Sequence, residues 1–238
     1  MPKDNVSLFE IFGPVMIGPS SSHTAGVVRI AWLVRKMFNA VPGKVIIRFY
    51  GSLAATWKGH GSGDAVIAGL LGISPEDEDL SRGMDKLKEL QAQGQGFAEE
   101  IITMPDLPFS WHPNTLVLEL YQGQDNCETD CLSIRASSIG GGQILINEIN
   151  GYQLALSAEH EAILVLHRDE IGVIASVSSI LAANKINIAA TSSHRREKGE
   201  EAMLIVETDG SIPLSVIEKI RAVNPVIHVT WVPSLEGE

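Results

Sequence analysis

The chain has 238 residues, 45% of them hydrophobic and 20% charged, and a formal net charge of −11 at pH 7. That length suits one large domain or two small ones at roughly 100–200 residues each, and the composition is that of a soluble globular protein. The excess of acid, with no basic block to offset it, argues against nucleic acid and anionic membranes as partners. No apolar run approaches the ~20 residues that span a bilayer. The opening MPKDNVSLFE lacks the basic-then-apolar order of a signal peptide, so a cytoplasmic location is expected.

In chain order, Phe9 to Phe12 reads as a short helix stopped by Gly13-Pro14. Thr24 to Phe38 reads as a helix ending before Pro42-Gly43, and Lys44 to Tyr50 (KVIIRFY) as a strand turned by Gly51-Ser52. Lys58 to Leu71 is a Gly-rich loop feeding a helix, Glu76 to Asp79 a solvated acidic run, and Met84 to Gln93 an amphipathic surface helix. Strands follow at Thr115 to Tyr121, Cys131 to Ser138 and Gln143 to Glu148, the last two separated by Gly140-Gly-Gly142, a hairpin signal. The first block is therefore mixed α/β with mostly antiparallel strands. A short polar join at Ser157 to His160 leads to the second block.

There, Ala162 to His167 reads as a buried strand. Ile171 to Lys185 reads as a helix, with Ile171, Ile174, Val177 (or Ser178) and Leu181 at helical spacing. Strands at Ile186 to Thr191 and Ala202 to Thr208 flank a charged turn around Gly199, a helix starts near Pro213, and Val226 to Val232 closes the chain. The order β-α-β-β-α-β is the ferredoxin-like arrangement. The expected fold class is α+β in two domains, 1–157 and 161–234.

Cys127 and Cys131 argue against a disulfide framework. Their spacing, beside Glu128 and Asp130, does not complete a four-ligand metal site, so both read as thiols at a hairpin and no metal site is expected on this chain.

Two clusters carry chemistry. IGPSSSHTAG (Ile17–Gly26) places Ser20, Ser21, Ser22, His23 and Thr24 at a helix mouth, where hydroxyls and unpaired amides suit a carboxylate or phosphate. One serine would suffice for a cap, so three beside a histidine point to a site. Ser22 and His23 are sequence neighbours and no G-x-S-x-G elbow is present, which disfavours a serine hydrolase and leaves His23 as a general acid or base. In Trp57-Lys-Gly-His-Gly-Ser-Gly63, glycines flank His60 and let a ligand approach the backbone; a structural histidine and a site histidine both remain open.

The second block resembles the ACT domain, a regulatory module that usually binds amino acids, through Asp169, Gly172, the helix to Lys185 and the Ile186-Asn-Ile188 strand entry. That resemblance implies a ligand at Asp169, Glu170, Ile171 and Gly172, although Ile171 stands where the family often has proline. Helix amides would hold a carboxylate and Asp169 an ammonium; Asp169 as a plain helix cap is the other reading.

Across nearly the whole chain, IGPSSSHTAG, Lys58-Gly-His-Gly61, His112-Pro-Asn-Thr115 and Ser138-Ile-Gly-Gly-Gly142 with Glu148-Ile-Asn-Gly151 resemble, in this order, the beta subunit of bacterial iron–sulfur L-serine dehydratases. The first block also resembles the allosteric substrate-binding domain of some D-3-phosphoglycerate dehydrogenases. The resemblance implies a lyase that converts L-serine to pyruvate and ammonia, with a 4Fe-4S cluster held by the cysteines of an alpha subunit and not by this chain. It implies His23 and His60 as functional histidines, Ser20, Ser21, Ser22 and Thr24 as substrate-binding, and the alpha subunit as partner, with homodimer contacts through the ACT or the beta domain. The family's acid is expected three residues after His60, where this chain has Gly63 followed by Asp64. His112, Asn114 and Ser138 to Gly142 read as turn and hairpin structure. The competing readings are a non-enzymatic amino-acid-binding regulatory module and, more remotely, a detached regulatory part of a phosphoglycerate dehydrogenase without a dinucleotide loop.

Overall fold

A computed structural model describes residues 23–123, 131–195 and 197–235. The expected helix at Phe9 to Phe12, Ser20, Ser21, Ser22 and Cys127 lie outside these residues. The chain divides into two compact units, Met1–Asn147 and Glu148–Glu238.

In the first unit, α1 (Ala25–Phe38) is nearly surrounded, burying among others Val27, Val28, Ile30, Trp32, Leu33 and Val34. It ends at Asn39, whose left-handed backbone (φ 52°) lets its N–H close the last turn on the Arg35 carbonyl. β1 (Lys44–Tyr50) follows, with Val45, Ile47 and Phe49 fully buried. A short helix α2 (Gly51–Thr56) begins where only a turn was expected. α3 (Ser62–Leu70) packs on α1, and a 3-10 turn (Glu78–Arg82) leads to α4 (Gly83–Ala92).

The strands are β2 (Ala98–Met104), β3 (Thr115–Tyr121), β4 (Cys131–Gly140), β5 (Gln143–Ile149) and β6 (Tyr152–Leu156). They form a six-stranded sheet of order β2-β1-β3-β4-β5-β6. β1 runs parallel to β2 and antiparallel to β3, which is antiparallel to β4. Neither β2 nor β6 is among the expected strands. β2 is an edge strand carrying Glu99-Glu100 and no fully buried residue, so it has no apolar alternation to read. β6 does carry the signal: Tyr152, Leu154 and Leu156 are buried in alternation.

Past β6, the second unit contains β7 (Glu161–Arg168), α5 (Val173–Ala183), β8 (Ile188–Arg195), β9 (Glu201–Thr208), α6 (Leu214–Arg221) and β10 (Val226–Val232). Its sheet has the order β10-β7-β9-β8, with every described pairing antiparallel, which is the ferredoxin-like fold. The helices cover a core of Ile163, Val165, Val177, Leu181, Leu204 and Val206. The expected apolar face of α5 is corrected here. Val173, Val177 and Leu181 point inward, while Ile171 and Ile174 are exposed. The helix begins only after Gly172, whose φ of 99° suits glycine, so the inward stripe is counted from Val173.

Candidate active site

Four segments of the first unit converge: the approach to α1, the β1–α2 turn, the loop before α3 and the loop before β3. His23 Nε2 lies 3.1 Å from Ser52 Oγ, and the Ser52 hydroxyl donates to Asn114 Oδ1 in a short contact. The His23 and His60 rings stand edge to face with centroids 4.9 Å apart and planes at 75°. Backbone bonds tie the two histidine segments reciprocally. Thr24 Oγ1 donates to the His60 carbonyl at 3.2 Å, and Ser62 Oγ donates to the His23 carbonyl at 2.7 Å.

Ser52 owes its position to a sharp strand-to-helix turn. Gly51 has φ 53°, and a Cβ there would sit 2.6 Å from the Pro113 carbonyl oxygen. That same oxygen accepts the Ser52 N–H at 2.9 Å. Asn114 is fixed from both sides: its N–H donates to His112 Nδ1 at 3.1 Å, and its carbonyl accepts the Ser138 N–H at 3.0 Å.

Burial first, and His60 beside it second, push the His23 pKa below its ordinary 6.5. Both effects favour the neutral imidazole, the form able to take a proton. His60 Nδ1 is buried without a hydrogen-bond partner, a polar atom left for something to satisfy.

Thr24 occupies the N-cap position of α1, but its hydroxyl makes no cap bond; it is 5% exposed and committed to the His60 carbonyl. Gly63 is packed under Trp57, where a Cβ would come within 2.9 Å of the indole, and Trp57 stacks on Phe49. Asp64 accepts the Met84 N–H at 3.1 Å and serves the start of α4. Ser52 and Asn114 are the partners that reading the sequence missed. His112-Pro-Asn-Thr115 and Gly51-Ser52 are visible in sequence, but only the fold brings them to His23. Among the described residues no group of three or more His, Cys, Asp or Glu side chains is placed to hold a metal ion, and no helix is long and apolar enough to cross a membrane.

In the second unit, Asp169, Glu170, Ile171 and Gly172 line a cavity of about 700 Å³ together with His167 and Arg195. Asp169 does not cap α5. Its Oδ2 accepts from Gly199 N–H at 3.1 Å and from Arg195 at 3.2 Å, which hold its pKa below the ordinary 3.8. His167 is 3% exposed. Its Nδ1 donates to the Arg168 carbonyl at 2.6 Å, and its Nε2 is buried without a hydrogen-bond partner.

A mixed-sheet unit carrying a histidine pair, followed by a ferredoxin-like unit with a cavity at its first turn, defines a two-module protein. The family model for the serine dehydratase beta chain matches residues 7–149, and that for the ACT domain matches residues 162–224. The chain belongs to the serine dehydratase beta chain family and carries an ACT domain behind it. It is 39% identical over 224 residues to the probable L-serine dehydratase beta chain of Bacillus subtilis, covering 94% of this chain and 96% of that one. To the L-serine dehydratase beta chain of Peptoniphilus asaccharolyticus it is 32% identical over 220 residues, 92% of this chain and 94% of the relative. Against the L-serine dehydratase of Streptomyces coelicolor it is 28% identical over 162 residues, 61% of this chain but only 35% of that longer protein.

Proposed function

We propose that this chain is the beta chain of an L-serine dehydratase, built as modules 1–157 and 161–234, and that His23 and His60 handle protons in the conversion of L-serine to pyruvate and ammonia. The observation that carries the proposal is the histidine pair at 4.9 Å, with the neutral form of His23 favoured. A neutral imidazole takes the α-proton, the histidine pair returns a proton to the β-hydroxyl as it leaves as water, and the resulting aminoacrylate takes up water to give pyruvate and ammonia. Ser20, Ser21 and Ser22 are assigned to the substrate carboxylate, while Thr24, whose hydroxyl proton goes to the His60 carbonyl, holds the two histidine segments together.

The described residues do not fit a 4Fe-4S cluster, which needs several cysteine ligands. In this proposal an alpha chain supplies the cluster, whose Lewis acidity would help the hydroxyl depart. The share of the longer relative that this chain leaves unmatched is where such a portion would lie. The test is anaerobic co-expression with the alpha chain and a pyruvate assay. His23→Ala and His60→Ala should each lose about 100-fold or more in kcat while still assembling. Full turnover in both variants would end the reading.

A regulatory ligand in the second unit is a second reading, favoured by the cavity and the unpartnered His167 Nε2. With Nδ1 given to the Arg168 carbonyl, Nε2 is the His167 nitrogen left to meet a ligand's polar group, and the α5 amides suit a carboxylate. Asp169, already held by Arg195, would shape the wall. L-serine should give heat with the whole chain in calorimetry, and His167→Ala should abolish it; silence at millimolar L-serine would reject this reading. Pairing of two copies through the β8 edge, where Ala189 to Ser193 are exposed, completes the proposal. A monomer in sedimentation would remove that last part.

A further inference from the structure

Hydrogen-bond polarity at the site fixes which nitrogen of His23 is basic. The Asn114 Oδ1 that meets Ser52 is a carbonyl oxygen and can only accept. The single Ser52 hydroxyl proton therefore goes to Asn114. What lies 3.1 Å away on the other side is His23 Nε2, toward which Ser52 Oγ has only lone pairs left. Nε2 must then carry a hydrogen, and a proton gained by the ring arrives at Nδ1. The backbone of Asn114 is held at both its N–H and its carbonyl, and that of Ser52 is pinned through the Pro113 oxygen beside Gly51. Two residues that do no proton transfer themselves are thus anchored through their backbones where they face the imidazole.

We propose that Ser52 and Asn114 are positioning residues that hold neutral His23 as its Nε2–H tautomer, so that it accepts protons at Nδ1. The proposal deepens the dehydration reading above and rests on it only for its catalytic consequence. No group other than the histidine changes protonation. The Ser52–Asn114 bond keeps its direction throughout, and only the His23 ring cycles between neutral and imidazolium.

The test is nitrogen-15 NMR of the whole chain with labelled histidine, above the His23 pKa. Two-bond couplings should show His23 with a protonated Nε2 and a bare-nitrogen shift at Nδ1. Ser52→Ala should move both shifts toward a mixture of tautomers, and Ser52→Thr, which keeps the hydroxyl, should restore the original pattern. Asn114→Asp keeps the acceptor and adds charge, and should raise the His23 pKa. In the complex with the alpha chain, Ser52→Ala should lower kcat about tenfold or more with KM little changed, and Ser52→Thr should recover it. A wild-type His23 protonated at Nδ1, or a pattern unmoved by Ser52→Ala in a chain that still folds, would overturn the proposal. If the tautomer is as assigned but His23→Ala still turns over fully, the dehydration role falls and the tautomer assignment stands.

Discussion

At the scale of single residues, the approach of α1 to β4 turns on a missing methyl. A Cβ on Gly26 would fall 1.9 Å from Ser138 Oγ. Gly26→Ala should therefore cost about 1–3 kcal/mol, and adding Ser138→Gly should return part of it, a coupling that a double-mutant cycle in urea measures directly. The Ser138 hydroxyl is itself fully buried and has no partner. Ser138→Ala should leave the chain as stable or raise it by about 1 kcal/mol, and a clear loss would mean that the hydroxyl has work this geometry does not show. Gly63 is a comparable constraint. Gly63→Asp, which installs the acid that the family resemblance leads one to expect, would drive a side chain into Trp57 and should destabilise by about 1–3 kcal/mol. The sequence displayed the two histidines, because hydroxyl-rich and glycine-rich surroundings mark loops that bind. It could not display Ser52 or Asn114 as their partners, since both lie far along the chain and each alone is an ordinary turn residue.

Secondary-structure elements repeat that division between local and long-range information. β1, β3 and β10 could be placed to the residue because β-branched and aromatic runs there are bounded by turn residues. β2 could not, since its only support is the neighbour it pairs with in parallel. Helix α5 could be located but only partly oriented: Val177 and Leu181 lie on the expected face, and packing against the sheet continues that stripe through Val173 rather than through Ile174 and Ile171. Leu181→Ala should cost about 2–5 kcal/mol, whereas Ile174→Ala, on the exposed side, should stay within about 0.5 kcal/mol. Equal costs would restore the sequence-based face. The clamp of Asp169 on the β8–β9 turn belongs to this scale as well. Asp169→Ala should speed hydrogen exchange at the Gly199 amide while leaving the amides of α5 as they were, because Asp169 does not cap that helix.

For the molecule as a whole, titrating groups in both units set a pH window. Burial lowers His228 below its ordinary 6.5, assisted by Arg221, as burial and His60 lower His23. For both, the unfolded chain takes up protons first as the pH falls, so the stability present above 6.5 is lost as the pH drops from there through each folded value. Asp169, through Gly199 and Arg195, and Asp79, through Lys86, are held below 3.8, so their contribution persists to lower pH and disappears only beneath that value. Tyr121 is raised above 10.0 by burial and then Glu119, so its share is present below 10.0 and lost as the pH climbs through the folded value. Urea midpoints should thus be flat from about 6.5 to about 10 and fall on both sides. Pairing His23→Gln with His228→Asn should flatten the first acid step alone; an unchanged step would place its origin elsewhere.

The reciprocal bonds from Thr24 to the His60 carbonyl and from Ser62 to the His23 carbonyl have a consequence for how this site could be rebuilt. The two bonds that tie the segments run from hydroxyls to main-chain carbonyls and use neither imidazole. The frame behaves as a socket with two interchangeable fittings. A carboxylate, an amide or a lysine could be seated at either position without relaying the foundations, which makes the chain a host for chemistry its present side chains do not perform.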